Sequence, residues 1–110
     1  MTGEAPLEIS VQDLKRIVDA GGNARVIDVR EAWEAEVCKI PGADLMPLSA
    51  FAEHAKSLNA AEPLYIYCHH GARSLQAAMW LRGNGFAQAA SVHGGIDAWS
   101  LEIDPSVPRY

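Results

Sequence analysis

Apolar residues recur at Leu14, Ile17 and Val18, the spacing of one helix face. Ser10-Val11-Gln12-Asp13 stands just ahead of them and reads as a capping box with Asp in place of Glu. Gly21-Gly22 closes this helix. The period then changes: Arg25 to Val29 is a short β-branched run, a strand by its length. Glu31 to Glu36 fits one or two helical turns, and Pro41-Gly42 is a turn. A second helix is expected from about Ser49 to Leu58, with Phe51, Ala52, Ala55 and Leu58 on its apolar face. Pro63 to Tyr67 is a second strand. Leu75, Ala78, Met79 and Leu81 then mark a helix from about Arg73 to Asn84, with Gly85 placed as its C′ residue. Ala89 to Val92 is a third strand, and Gly94-Gly95 introduces a last helix from Ile96 to about Leu101. The first eight residues read as irregular. So does the tail Asp104 to Tyr110, because Pro105 and Pro108 exclude a helix or a central strand. Strands alternating with helices predict an α/β fold with a mainly parallel sheet. Ligands bind such sheets beyond the carboxyl ends of the strands.

Composition narrows the function. The 110 residues suit one domain spanning 1–110. The chain is 49% hydrophobic and 21% charged, and no apolar run approaches the ~20 residues of a membrane span. A net charge of −5 argues against a nucleic-acid surface, which needs a clustered positive field. Two cysteines do not make a disulfide scaffold. Met1-Thr2-Gly3-Glu4-Ala5-Pro6 has neither a basic nor an apolar leader segment, so the expected compartment is the cytosol. A small cytosolic enzyme, carrier or binding module remains.

The chemistry centres on Cys68, where the second strand ends. Six residues, Cys68-His69-His70-Gly71-Ala72-Arg73, turn the chain into a helix. A helix start carries unpaired N–H groups and partial positive charge, and a tight loop there aims several N–H groups at one point. Gly71 accepts backbone angles that a side chain forbids, and Arg73 adds a permanent cation. Such settings lower a cysteine's pKa from its free value of ~8.5. Cys68 is therefore a candidate nucleophile; a buried cysteine ending a core strand is the alternative. Ser74 is expected chiefly to cap the new helix. His69 and His70 are expected to supply loop backbone, with side chains partly solvated. A zinc site is rejected, because adjacent residues do not converge on one tetrahedral ion. Asp28 and Arg30 end the first strand near the same face and read as a structural brace, with Glu34 or Glu36 as the expected partner of Arg30. Cys38 is expected to be packed and inert, and Trp80 and Trp99 to pack in the core or between helices.

Four segments together resemble the rhodanese (thiosulfate sulfurtransferase) domain family over nearly the whole chain. They are Val26-Ile27-Asp28-Val29-Arg30-Glu31, Ile40-Pro41-Gly42-Ala43, Cys68 to Ser74, and Gly94-Gly95-Ile96-Asp97-Ala98-Trp99. Many members carry Gly-His before Ile-Pro-Gly, where this chain has Cys38-Lys39. That segment, the Cys-His-His-Gly loop and the ending Asp104 to Tyr110 look like rhodanese domains fused to ubiquitin-activating-type adenylyltransferases of sulfur-carrier pathways. The resemblance implies a rhodanese-like fold: about five mostly parallel strands, with helices on both faces. It implies a sulfurtransferase with Cys68 as nucleophile, residues His69, His70, Gly71, Ala72, Arg73 and Ser74 around the substrate, and no cofactor. The donor is thiosulfate or a protein persulfide, and the acceptor a thiol, cyanide or a sulfur-carrier protein. Arg73 is expected to help hold the anionic donor and to steady the loop. A persulfide carrier or binding module is the alternative. A cysteine-dependent phosphatase or arsenate reductase is disfavoured, because four residues rather than five separate Cys68 from Arg73 and shrink the cradle.

Overall fold

A computed structural model describes residues 6–21 and 24–110. Gly22, expected with Gly21 to end the first helix, lies outside them, as do Met1 to Ala5. Five strands form one sheet in the order β1-β5-β4-β2-β3. They are β1 (Glu8–Ile9), β2 (Arg25–Asp28), β3 (Asp44–Leu45), β4 (Leu64–Tyr67) and β5 (Ala89–Val92). Every pair is parallel. Helices α1 (Val11–Asp19), α2 (Ala32–Val37), α3 (Phe51–Ala55) and α4 (Ala72–Gly83) connect them, and α5 (Gly95–Glu102) follows β5.

Side chains alternate across the pleat, so the sheet has two cores. Ile27, Leu64, Ile66 and Ala89 face Phe51 and Ala55 of α3 and Ala77, Ala78 and Leu81 of α4. Val26, Tyr67, Ala90 and Val92 face Val11 and Leu14 of α1 and Ile96 and Trp99 of α5. The fold is the α/β sandwich expected, with helices on both faces.

Local signals hold at several ends. Ser10 Oγ accepts from Asp13 N at 3.0 Å, and Asp13 reaches back to Ser10 N at 3.4 Å. Gly85 (φ +92°) stands at C′ of α4. There Phe86 N donates to Leu81 O and Gly85 N to Arg82 O, the two bonds of a Schellman motif.

Other expectations need correcting. The first eight residues are not all irregular, since Glu8 opens β1. The helix expected over 49–58 is shorter: a 3-10 turn, Leu48–Ala50, leads into α3. Lys56, Ser57 and Leu58 then bond three residues back, so the chain tightens rather than continuing as α-helix. Trp99 is buried, whereas Trp80 is half exposed and meets Phe51 edge-on. Among the described residues no helix is long and apolar enough to cross a membrane.

Candidate active site

Tyr67 ends β4 at the middle of the sheet, and the loop that follows meets the start of α4 at the carboxyl edge. Gly71 is the N-cap of α4, with φ +113°. A side chain there would adopt a rarely accessible backbone conformation, and its Cβ would stand 3.3 Å from Gly94 N.

No N-cap side chain serves α4. Cys68 does so instead. Its Sγ accepts from Gly71 N at 3.1 Å and from Ser74 N at 3.3 Å. Ser74 is the third residue of α4, whose N–H normally bonds a capping oxygen. The sulfur thus occupies the acceptor position of a helix cap, where negative charge is favoured. Cys68 is 1% exposed, so these donors act with little competition from water.

Ser74 therefore is not the cap. Its Oγ lies 3.4 Å from Cys68 Sγ, 3.2 Å from Gly71 O and 2.7 Å from Ser91 Oγ of β5. Its hydroxyl lies beside the Cys68 sulfur.

The loop is held from the far side by α5. Ile96 N donates to Cys68 O at 2.9 Å and Asp97 N to His69 O at 3.1 Å. Such close approach requires Gly95: a Cβ there would fall 2.4 Å from Cys68 O and 2.5 Å from His69 O. The Gly94-Gly95 pair is thus part of the site.

Arg73 lies on the same loop, but its fork is committed to a partner. Nη1 and Nη2 bond Glu34 Oε1 and Oε2 at 2.6 and 2.8 Å. Glu34 is 4% exposed and also accepts from Glu31 N and from the Tyr110 hydroxyl, at 3.1 and 2.7 Å. The Arg73 hydrogen bonds, seconded by that of Tyr110, hold the Glu34 carboxyl down to a pKa of about 2. Two roles were expected of Arg73. The structure gives a basis for steadying the loop, whereas the oriented fork expected for a donor anion is turned onto Glu34.

Arg30 does not form its ion pair with Glu34 or Glu36. It is fully buried, and Nε and Nη2 bond Asp28 Oδ1 and Oδ2 at 2.9 and 2.8 Å. Only the Glu34 carbonyl meets Arg30, at 3.3 Å. Asp28 stands two residues away on the end of β2, whereas α2 begins only at Ala32 and turns the Glu34 carboxylate toward Arg73. Arg30 also donates to Cys38 O at 2.6 Å and to the Tyr110 hydroxyl at 3.0 Å. Cys38 is buried, its Sγ 3.9 Å from Arg30 Nη1.

The His69 and His70 rings lie 3.9 Å apart between centroids, with their planes tilted by 31°. His70 is exposed, as expected. His69 is half-buried, and its ring lies flat on Tyr110, with centroids 3.8 Å apart and planes 6° apart. Its Nε2 is buried with no hydrogen-bond partner among the described residues, and burial lowers the imidazole pKa, which favours the neutral ring. Ala72 is exposed at the first turn of α4.

Glu34, Ser91, Gly95 and Tyr110 were not singled out for the site from the sequence. The nearest signal was Tyr110, an aromatic residue closing a proline-bounded tail.

A family model described as the rhodanese-like domain matches residues 10–102. The chain is 41% identical over 91 residues to the rhodanese-like/PpiC domain-containing protein 12, chloroplastic, of Arabidopsis thaliana, covering 79% of this chain and 30% of that protein. It is 37% identical over 93 residues to the putative sulfur carrier protein YrkF of Bacillus subtilis, covering 84% and 50%. It is 31% identical over 109 residues to the adenylyltransferase and sulfurtransferase MOCS3-2 of Zea mays, covering 93% and 23%. The chain therefore spans half or less of the length of these relatives. A solved structure of the human single-domain sulfurtransferase TSTD1 superposes with a TM-score of 0.77 at 27% identity, covering 89% of this chain and 98% of that one.

Proposed function

Since this chain belongs to the rhodanese-like domain family, we propose that it moves a sulfane sulfur through a persulfide on Cys68. Its relatives include a sulfurtransferase and a putative sulfur carrier. The observation that carries the reading is the pair of N–H groups, from Gly71 and Ser74, converging on a buried Cys68 Sγ.

The cycle has two displacements. The Cys68 thiolate attacks the outer sulfur of a donor. With thiosulfate, an S–S bond forms to Cys68, the donor's S–S bond breaks, and its electron pair leaves on sulfite. Cys68 then carries a persulfide anion. Cyanide or an acceptor thiolate, of low mass or on a sulfur-carrier protein, attacks the outer sulfur, the S–S bond to Cys68 breaks, and the Cys68 thiolate is the leaving group. The N–H donors supply fixed positive potential to the sulfur at both stages. Asp28 and Arg30 brace the neighbouring segment through Cys38 O and Tyr110.

Arg73 refines the choice of donor. Its charge is matched by Glu34, and the net charge of −5 disfavours long-range attraction of a dianion. We infer that a persulfide of low charge is a better donor than thiosulfate, and this favours a relay role. The partner would then be a protein persulfide donor and a thiol or sulfur-carrier acceptor.

Intact-mass measurement tests the chemistry. Incubation with thiosulfate or a low-mass persulfide adds ~32 Da, on Cys68, removable by cyanide or reductant. Cys68→Ser keeps the fold and gains nothing, since a hydroxyl is a far weaker nucleophile. An adduct on Cys38, or none with any sulfur donor, overturns the proposal. Faster loading by persulfide than by thiosulfate supports the relay reading; the reverse order refutes it.

A further inference from the structure

Tyr110 lies 76 positions beyond Glu34, yet it reaches the Cys68–Arg73 loop twice, once directly and once through Glu34. Its ring stacks on His69, the loop's second residue. Its hydroxyl donates to Glu34 Oε2 at 2.7 Å, and Glu34 holds Arg73, the loop's last residue, through both carboxylate oxygens. The same hydroxyl accepts from buried Arg30 at 3.0 Å. One phenol therefore links two arginines through a buried carboxylate and one loop histidine through its face.

The segment carrying Tyr110 is itself fixed. Val107 is buried, Ser100 Oγ of α5 donates to Val107 O at 2.5 Å, and Arg109 pairs with Asp97 at 2.8 Å. Asp97 also donates its backbone N–H to His69 O. The ring and the backbone of His69 are thus both held, by Tyr110 and by α5.

Each contact has a separable consequence. Without the hydroxyl, Glu34 keeps Arg73, but its Oε2 loses the bond that ties it, through the phenol, to Arg30. A charge-assisted hydrogen bond is directional, so the fork's rotation depends on that anchor. Without the ring, His69 loses the surface it lies on.

We propose that Tyr110 is a positioning residue of the sulfur-transfer site, holding Arg73 through Glu34 by its hydroxyl and His69 by its ring. This rests on the proposed sulfur-transfer function, so its test includes a readout independent of turnover.

The experiment compares the parent chain, Tyr110→Phe, Arg73→Lys and the double variant. Sulfur transfer is read as kcat/KM with thiosulfate and with a low-mass persulfide. Rotation of the Arg73 guanidinium is read by NMR of its side-chain nitrogens in the parent and in Tyr110→Phe. Tyr110→Phe keeps the ring, so the fold is retained. It is expected to speed the rotation and to lower kcat/KM about 3- to 10-fold, the scale of one lost hydrogen bond. In the Arg73→Lys background the same change is expected to cost less than about 2-fold, because contacting residues in one network are not additive. Tyr110→Ala is expected to lose more than Tyr110→Phe, the difference being the stack on His69. Unchanged rotation and transfer in Tyr110→Phe overturn the proposal. Effects of Tyr110→Phe and Arg73→Lys that simply multiply also overturn it, as would a lower Tm with unaltered kcat/KM. If the parent takes up no sulfur from any donor, the sulfur-transfer reading fails, while the rotation still decides whether Tyr110 holds Arg73.

Discussion

Glu34→Gln removes the charge that the surrounding groups are arranged to receive. The carboxylate is buried and accepts both Arg73 Nη groups, the Tyr110 hydroxyl and Glu31 N. A glutamine keeps one acceptor oxygen, but in either orientation its NH2 group then faces an Arg73 Nη, together with Glu31 N or the Tyr110 hydroxyl. The Glu34 pKa falls from the usual 4.5 to about 2 on folding, chiefly through the Arg73 hydrogen bonds. At ~1.4 kcal/mol per pH unit, this gap corresponds to about 3 kcal/mol. The Arg73 side chain is 34% exposed, and solvent screening reduces the expected loss to about 2 kcal/mol. For a domain of this size that lowers Tm by about 10 °C. The sign with pH follows from proton uptake. Below pH 4.5 the unfolded carboxyl binds a proton that the folded one refuses until pH falls through about 2. The Glu34 contribution is therefore complete above about pH 5 and is lost as pH falls toward 2. Urea denaturation of parent and variant between pH 3 and 7 measures it. The stability difference should be level near neutrality and narrow in acid. A difference under about 0.5 kcal/mol at pH 7, or one that does not narrow, refutes the assignment of Glu34 as a buried charged partner of Arg73.

Two further outcomes follow from the same geometry. Gly95→Ala places a Cβ against the Cys68 and His69 carbonyls in a backbone with φ +59°; it should cost more than about 2 kcal/mol and abolish Cys68 persulfide formation, read by thermal denaturation and intact mass. Arg30→Met strands Asp28 in the interior without its ion-pair partner. It should destabilise by about 3–5 kcal/mol in urea, and a loss under about 1 kcal/mol would deny the pair its structural role.

The legible elements are those whose pattern is local. Strands β2, β4 and β5 each hold four residues built around apolar positions, Val26 and Ile27, Leu64 and Ile66, and Ala90 and Val92, and α1 and α4 carry their own end signals in Ser10 and Gly85. Strands β1 and β3 have two residues each, too few for a period; pairing with β5 and β2 makes them strands. The loop is legible because Cys68, Gly71 and Arg73 lie within six consecutive residues. Glu34 and Arg73, 39 residues apart, meet only through tertiary packing, and so does Tyr110. The expected pairing of Arg30 with Glu34 or Glu36 fails because Asp28, two residues back at the end of β2, takes the guanidinium with both carboxylate oxygens. Ser74 was read as a cap because serine favours that position, but the sulfur of Cys68 already fills it.

The docking of α5 on the loop fixes more than its position. The carbonyls of Cys68 and His69 are both tied to N–H groups of α5. In a planar trans peptide the C=O and N–H point in opposite directions, so the next two amides, of His69 and His70, are turned away from α5. Flipping either plane would break a bond at the start of that helix. The polarity of the loop is therefore locked before any sulfur arrives. In the proposed cycle charge moves outward by one S–S bond, ~2 Å, and later returns, and the peptide dipoles need no reorientation for it. Both stages of that proposed cycle would meet the same stationary field, with reorganisation left to donor, acceptor and solvent.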